Sequence, residues 1–425
     1  MLRLVRFVKI CCLCMLGLTI ILLISCAPSV PTAAPPSSQG SEGNLSQLSA
    51  IQSGWSWKTI RGEDRTYEQT RNVLLGIMEE YGVLGLSLVL TQGTQYLQKP
   101  KTYIFNLGVE HPDTKKPIDG MTVFQAGRLG QPILAYIVMK LVTDEQFDID
   151  KPLQKYLAKP LPEYPAYSDL KEDSRYKRLT ARLILSHQSG LANSRLTHPE
   201  HKLTFETAPG ERFGYSEEGY RLLQFVLEQK FGRSLNELAK LNVFDPLVMS
   251  QTSFIREPRF EGHLATTASV GLDSKNSVSD VSGAFITNSS DYTKFMWLVR
   301  MYGYRLSHEA FFSYIILPEV SVRSPSIFEP PRPGEHLTLP KRLSWSLGWG
   351  TYDIPRISGV CFIGQRYQGI ECYATAFESE SSTALSIFVA GNAQRSVSAR
   401  IVREILGEIE APLTWLGFEN AGIAK

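Results

Sequence analysis

The order in which two hydrophobic periodicities alternate along this 425-residue chain limits the folds open to it. Arg65 to Tyr81 places Val73, Leu74, Ile77 and Met78 at helical spacing. Gly85-Leu-Ser-Leu-Val-Leu-Thr-Gln-Gly and Tyr103-Ile-Phe-Asn-Leu-Gly then read as strands across a turn-rich segment. Helical patterns follow at Arg128 to Thr143, Leu179 to Leu191 (closed by Gly190), Tyr220 to Phe231, Leu235 to Val243, and Ser290 to Tyr302, with Ser290 or Asp291 as its cap. Four strand patterns return at Leu347 to Tyr352, Val360 to Ile363, Glu371 to Phe377 and Ala384 to Ala390, before a last helix from Val397 to Ile409. Strands at both ends with helices between predict an α+β fold. It is an α/β sandwich whose antiparallel sheet, built from both termini and flanked by helices, carries an inserted all-helical subdomain over about residues 122–330.

The N-terminus follows another logic. Arg3, Arg6 and Lys9 precede an apolar run from Ile10 to Ile24, and Leu23-Ile24-Ser25-Cys26 has the order of a bacterial lipobox. The run is short for a spanning helix. The expectation is a lipoprotein signal peptide over 1–25, lipidation at Cys26, and a protein anchored to the bacterial envelope, periplasm-facing or at the outer membrane. Pro28 to Leu48, rich in Pro, Ser, Ala and Gly, predicts a flexible tether over 26–53, leaving 54–425 as the folded domain. Loss of the signal leaves 41 basic against 42 acidic residues, a balance that gives no electrostatic case for nucleic acid. Only Cys361 and Cys372 then remain as thiols. They stand equidistant from a hairpin turn near Arg366-Tyr367, within disulfide reach if that turn holds; the alternative is two buried free thiols.

The segment Phe124-Gln-Ala-Gly-Arg-Leu-Gly-Gln-Pro-Ile-Leu-Ala135 leads into the Arg128–Thr143 helix. Leu185-Ser-His-Gln-Ser-Gly-Leu191, Pro209-Gly-Glu-Arg-Phe-Gly-Tyr-Ser-Glu-Glu-Gly-Tyr220 and Phe285-Ile-Thr-Asn-Ser-Ser-Asp-Tyr-Thr-Lys-Phe295 follow in order. Together they resemble the class C β-lactamase, D-Ala-D-Ala carboxypeptidase and esterase family, over about residues 65–410. The resemblance implies a β-lactamase/transpeptidase-like, penicillin-binding-protein-like fold. It implies a serine that attacks a carbonyl while a lysine and a tyrosine shuttle its proton. The family pattern Phe-x-x-x-Ser-x-x-Lys-Pro, set on Phe124 and Pro132, puts Arg128 at the serine and Gln131 at the lysine. Tyr215 keeps the phenol of the Tyr-x-Asn motif, but Glu217 stands where Asn is expected. Around Phe362-Ile363-Gly364 the third motif keeps its glycine, with Phe362 in place of a basic residue. An arginine has no usable lone pair and a glutamine cannot take a serine's proton. The catalytic positions are therefore degenerate. Arg128 beside a helix N-terminus opposes the macrodipole; either Glu217 neutralises it in the same pocket and the pair plugs the former site, or each position drifted once catalysis was lost.

Rival groups carry less. Ser168-Asp-Leu-Lys171 is the one literal Ser-x-x-Lys, but it lies in a polar loop. Ser189 beside His187 reads as a packed turn. His198-Pro-Glu-His201 lacks a ligand cluster for a metal, and Trp55 and Trp57 read as packing of the N-terminus onto the domain. No cofactor is implied. Three functions stay open: a pseudoenzyme binding a cell-wall fragment, peptide or protein partner; an active serine hydrolase with non-standard groups; and a purely structural lipoprotein. The oligomeric state is not legible.

Overall fold

The computed structural model describes residues 54–93, 100–266, 279–301, 306, 317–322, 343–354, 357–367, 369–379, 381–391, 396–407, 412 and 416. The signal segment, Cys26 and the tether lie outside the described residues. In chain order the elements are β1 (Ser56–Lys58), β2 (Asp64–Thr66), α1 (Tyr67–Tyr81), β3 (Gly85–Gly93), β4 (Lys101–Gly108), β5 (Phe124–Gln125), α2 (Gly130–Thr143), α3 (Ala181–Leu185), α4 (Glu217–Phe231) and α5 (Leu235–Ala239). There follow β6 (Ile286–Thr287), α6 (Ser289–Arg300), β7 (Val320–Ser321), β8 (Leu343–Trp345), β9 (Gly350–Ile354), β10 (Ile357–Tyr367), β11 (Ile370–Glu378), β12 (Ser382–Ala390) and α7 (Ser398–Leu406).

The main sheet runs β4-β3-β12-β11-β10-β9-β8-β7, antiparallel throughout. The last strand in sequence thus pairs with the first long one, which closes the sheet from both termini. The burial of β3 and β12 on alternate residues of both faces shows a sheet covered on two sides. Glu371 and Cys372 are neighbours on β11, so their side chains leave on opposite faces. Glu371 Oε2 accepts from the backbone N–H of Val397 (3.2 Å) and Ser398 (3.1 Å), the entrance of α7. On the other face, Phe388, which pairs with Cys372, lies 6.3 Å from the Tyr292 ring of α6. Helices α1 and α7 therefore cover one face, while α6 covers the other. Trp57 fastens the start of the domain to α7 through its indole N–H on Ile405 O (2.9 Å), and packs on Tyr103 and Phe105.

The α+β class and the sheet built from both ends agree with the sequence pattern, and four local expectations do not. α3 stops at Leu185, well before Gly190. The Leu185 carbonyl is taken by the Tyr220 hydroxyl (2.9 Å), the Trp345 indole (3.2 Å) and Gly348 N (3.0 Å), and these tertiary donors end the helix. The cap of α6 is Asn288, whose side chain accepts from Asp291 N (2.8 Å). Asp291 instead accepts from Gln251 N and the Thr252 hydroxyl. α4 begins at Glu217, one turn earlier than expected, because Ser216 caps it through Gly219 N (3.0 Å).

The fourth correction concerns the cysteines. Tyr367 pairs with Ile370, so the β10–β11 turn sits two residues later than expected, at Gly369 with φ 83°. Cys361 then faces Ala376, and Cys372 faces Gln365. The two thiols are four residues out of register, about 13 Å along the strands, beyond disulfide reach. Both are free and buried. Burial pushes the Cys361 thiol up to about 12 and also raises Cys372.

Candidate active site

The site gathers where the entrance of α2 meets β10 and the start of α4. β5 pairs with β6, and the chain then turns through a single 3-10 turn, Gly127–Leu129, into α2. Every backbone N–H of this turn finds a partner. Ala126 N and Gly127 N both donate to Phe285 O, and Leu129 N donates to Ala126 O. Arg128 N instead donates to a side chain, Gln365 Oε1 of β10, at 2.9 Å. The same amide returns Nε2 to Gln125 O at 3.0 Å. Only one orientation of the Gln365 amide satisfies both bonds, since Arg128 N–H must donate and the Gln125 carbonyl must accept. Gly127 has φ 39°, and a Cβ there would stand 2.3 Å from Gln365 Oε1, so the turn needs glycine. The Tyr292 hydroxyl holds the turn from α6 by donating to Leu129 O (2.9 Å).

The Arg128 side chain meets Glu217, with Nε 2.9 Å from Oε1, and both side chains are largely buried. Glu217 also receives Arg221 of the next helical turn (3.4 Å). Arg221 in turn pairs with Asp280 (3.2 Å), and Glu218 pairs with Arg195 (2.8 Å). The placement follows from local charge. Arg128 sits at the positive end of α2, whereas Glu217 and Glu218 fill the first turn of α4, where the dipole favours carboxylates. Burial works against the Arg128 cation, but the charge and hydrogen bond of Glu217 favour it, and its pKa lies above the ordinary value. The guanidinium also lies 5.7 Å from the centre of the Tyr215 ring. A partly buried, hydrogen-bonded pair of this kind is costly to break on one side, by about 2–3 kcal/mol.

One turn along α2, Gln131 is fully buried. Its Nε2 donates to the Tyr215 hydroxyl (2.9 Å) and to Ser282 Oγ (3.3 Å), while Oε1 has no hydrogen-bond partner. Burial raises the Tyr215 phenol above its ordinary value, so it stays protonated at neutral pH. Behind it, His187 is enclosed by Tyr215, Tyr220 and Trp345, with ring centres 4.3, 4.9 and 5.0 Å away. Its Nδ1 accepts from Ser216 N (3.2 Å). Burial, and then the Arg128 charge, push its pKa well below the ordinary value, so the imidazole is neutral. The assembled groups are a held cation, its carboxylate, a neutral phenol, a neutral imidazole and two carboxamides. They can bind charge and exchange hydrogen bonds.

Of the residues singled out from sequence, Arg128, Gln131, Tyr215 and Glu217 meet in one place. Phe362 does not. Gln365 reaches the α2 turn, and Phe362, three residues back on a regular strand, leaves on the opposite face and packs over Gly350 of β9. The strand residue at the site is Gln365, three residues past the Phe362 that the motif resemblance pointed to. Ser282, Arg221 and Asp280 were also missed. Arg221 was legible as the i+4 neighbour of Glu217, but the stretch carrying Asp280 and Ser282 has no periodicity to place it.

The rival groups are elsewhere or occupied. Ser168 donates to Pro165 O in a 3-10 turn (3.1 Å), and Ser189 Oγ accepts from Leu191 N (3.2 Å). His198 Nδ1 accepts from Glu200 N (3.1 Å), and the described residues hold no His/Cys/Asp/Glu group suited to a metal. Trp55 packs edge-on against Tyr103, 5.7 Å between ring centres.

The structure is similar to a class C beta lactamase, at 15% identity and TM-score 0.59 over 81% of this chain and 98% of that one. It is similar to D-alanine carboxypeptidase AmpC from Burkholderia cenocepacia, at 15% identity and TM-score 0.59 over 81% and 99% of the two chains. It is also similar to D-amino acid amidase from Ochrobactrum anthropi SV3 complexed with D-phenylalanine, at 17% identity and TM-score 0.59 over 80% and 98%. At such identities the likeness speaks for the fold alone. A search of curated proteins returned no match. The beta-lactamase family model matches residues 70–397, well over half the chain, and the chain belongs to the beta-lactamase family.

Proposed function

We propose that this protein is a non-hydrolytic member of its family, anchored to the bacterial envelope through a lipid on Cys26, that binds a cell-wall fragment, a peptide or a protein partner. The observation that carries the reading is the Arg128–Glu217 pair at 2.9 Å, standing where the family resemblance expects the nucleophilic serine and the asparagine. Acyl transfer needs an activated nucleophile and a group to take its proton. Gln131 supplies an amide in place of an amine, and Tyr215 holds its proton. Ser282 meets Gln131 as a hydrogen-bond acceptor, and the Asp280 carboxylate next to it is taken by the Ser282 backbone N–H and by Arg221. Loss of one proton-transfer group costs about 10²–10⁴-fold, and here the nucleophile is replaced as well.

A purely structural role is favoured by one feature, the Gln365 amide already seated on the Arg128 turn. Calorimetric titration with muropeptides, run beside a turnover assay on an acetyl ester and a chromogenic β-lactam, separates the readings. Saturable muropeptide binding without turnover is the expected result. Absence of binding leaves the structural reading, and turnover that disappears on replacing one serine contradicts both.

A further inference from the structure

We propose that the protein carries a second binding site, for a small sugar acid, in a pocket of about 360 Å³ between the β1–β2 hairpin, the ends of β3 and β4, and the β11–β12 turn. It is separate from the Arg128 turn. Phe388 of β12 stands in the row that runs through Cys372 to Gln365, whereas Ser382, at the other end of β12, pairs with Gly93 of the pocket. Six residues of strand, about 20 Å, lie between the two rows.

The pocket is held open by its own walls. β1 is fastened at three successive residues. Ser56 O accepts from the Tyr103 hydroxyl (2.6 Å), the Trp57 indole donates to Ile405 O (2.9 Å), and Lys58 O accepts from Gln92 Nε2 (3.1 Å). Trp57 and Tyr103, buried with ring centres 5.0 Å apart, make a packed floor that cannot fall into the gap. Across it, Ser379 N and the Ser379 hydroxyl both donate to Ser381 O (3.1 and 3.4 Å), which closes the β11–β12 turn.

The polar rim selects the ligand. Lys58 and Asp64 face each other across the hairpin at 3.0 Å, both largely exposed, and offer donor and acceptor side by side. Ser379 and Ser381 add hydroxyls from the opposite wall. Adjacent donors and acceptors of this kind match the neighbouring hydroxyls of a sugar ring. Lys101 is the remaining charge on the lining, exposed and, among the described residues, without an ion-pair partner. Two cations thus stand against one carboxylate, and a ligand carboxylate would complete the balance through a charge-assisted hydrogen bond to Lys101. Ligand sites span roughly 300–1,000 Å³, so this one suits a single sugar or the end of a chain. The assignment does not rest on the non-hydrolytic reading of the Arg128 cleft.

Calorimetric titration of the full chain with galacturonate is expected to show saturable binding. Galactose, with the ring but no carboxylate, and acetate, with the carboxylate but no ring, should each bind about tenfold more weakly or worse. Lys101→Ala should lower galacturonate affinity to that of galactose, and Ser381→Trp should abolish binding by filling the mouth, with circular dichroism showing both variants folded. Arg128→Met should leave the affinity unchanged. Digalacturonate separates the sources: tighter binding than galacturonate assigns the end of an acidic polysaccharide, equal binding a free sugar acid, and either supports the site. No saturable binding of galacturonate, equal binding of acetate or galactose, or affinity that survives both Lys101→Ala and Ser381→Trp overturns the proposal. Loss of binding in Arg128→Met would move the ligand to the cleft and overturn it too.

Discussion

At the scale of single residues, the charge of Arg128 is answered by Glu217. Arg128→Met is expected to destabilise the fold by about 2–3 kcal/mol, because Glu217 loses its nearest hydrogen-bond donor. Glu217 keeps Arg221, which holds the loss below that of a stranded charge. The double variant Arg128→Met, Glu217→Gln should recover most of it, and urea denaturation of the four proteins in the cycle measures the coupling. His187 gives a second test. Its folded-state pKa lies well below the ordinary 6.5, so the unfolded chain takes up the proton first. The stability it supports is complete above pH 6.5 and is lost as pH falls below that value, with a slope approaching about 1.4 kcal/mol per pH unit. Unfolding free energies between pH 7 and pH 5 should show that slope in the wild type and not in His187→Phe. An unchanged slope in the variant would contradict the assignment.

At the scale of elements, the approach of α2 to the β8–β9 connection is set by Gly348. It has φ 103°, and an added Cβ would lie 2.4 Å from Ala135 Cβ on α2. Gly348→Ala combines backbone strain with a collision inside the core, and a loss of about 2–4 kcal/mol in chemical denaturation is expected. The same level explains what the sequence could and could not disclose. Helices α1, α2 and α4 and strands β3, β11 and β12 were legible because each carries an uninterrupted period. Arg128, Gln131, Tyr215 and Glu217 were legible because motif spacing ties each to such an element. Gln365 was not, since it reaches the Arg128 turn from a strand far away in sequence and no motif spacing ties it to that turn. The end of α3 was hidden for another reason. Its last carbonyl is claimed by Tyr220, Trp345 and Gly348, none of them near it in sequence.

At the scale of the whole molecule, a sheet closed from both termini keeps its cysteines out of reach of each other and of solvent. Cys361 and Cys372 should resist iodoacetamide in the native protein, both alkylate after unfolding without reductant, and give no linked peptide on mass mapping. A linked peptide would contradict the hairpin register. The same scaffold presents the Arg128 turn, α4 and β10 to one another, and the reading proposed above is that it holds no activated nucleophile there. Intact-mass spectrometry after incubation with a fluorophosphonate and with a fluorescent penicillin tests this most directly. The account predicts an unshifted mass with both reagents, and a stoichiometric adduct on any serine, Ser282 included, would contradict it.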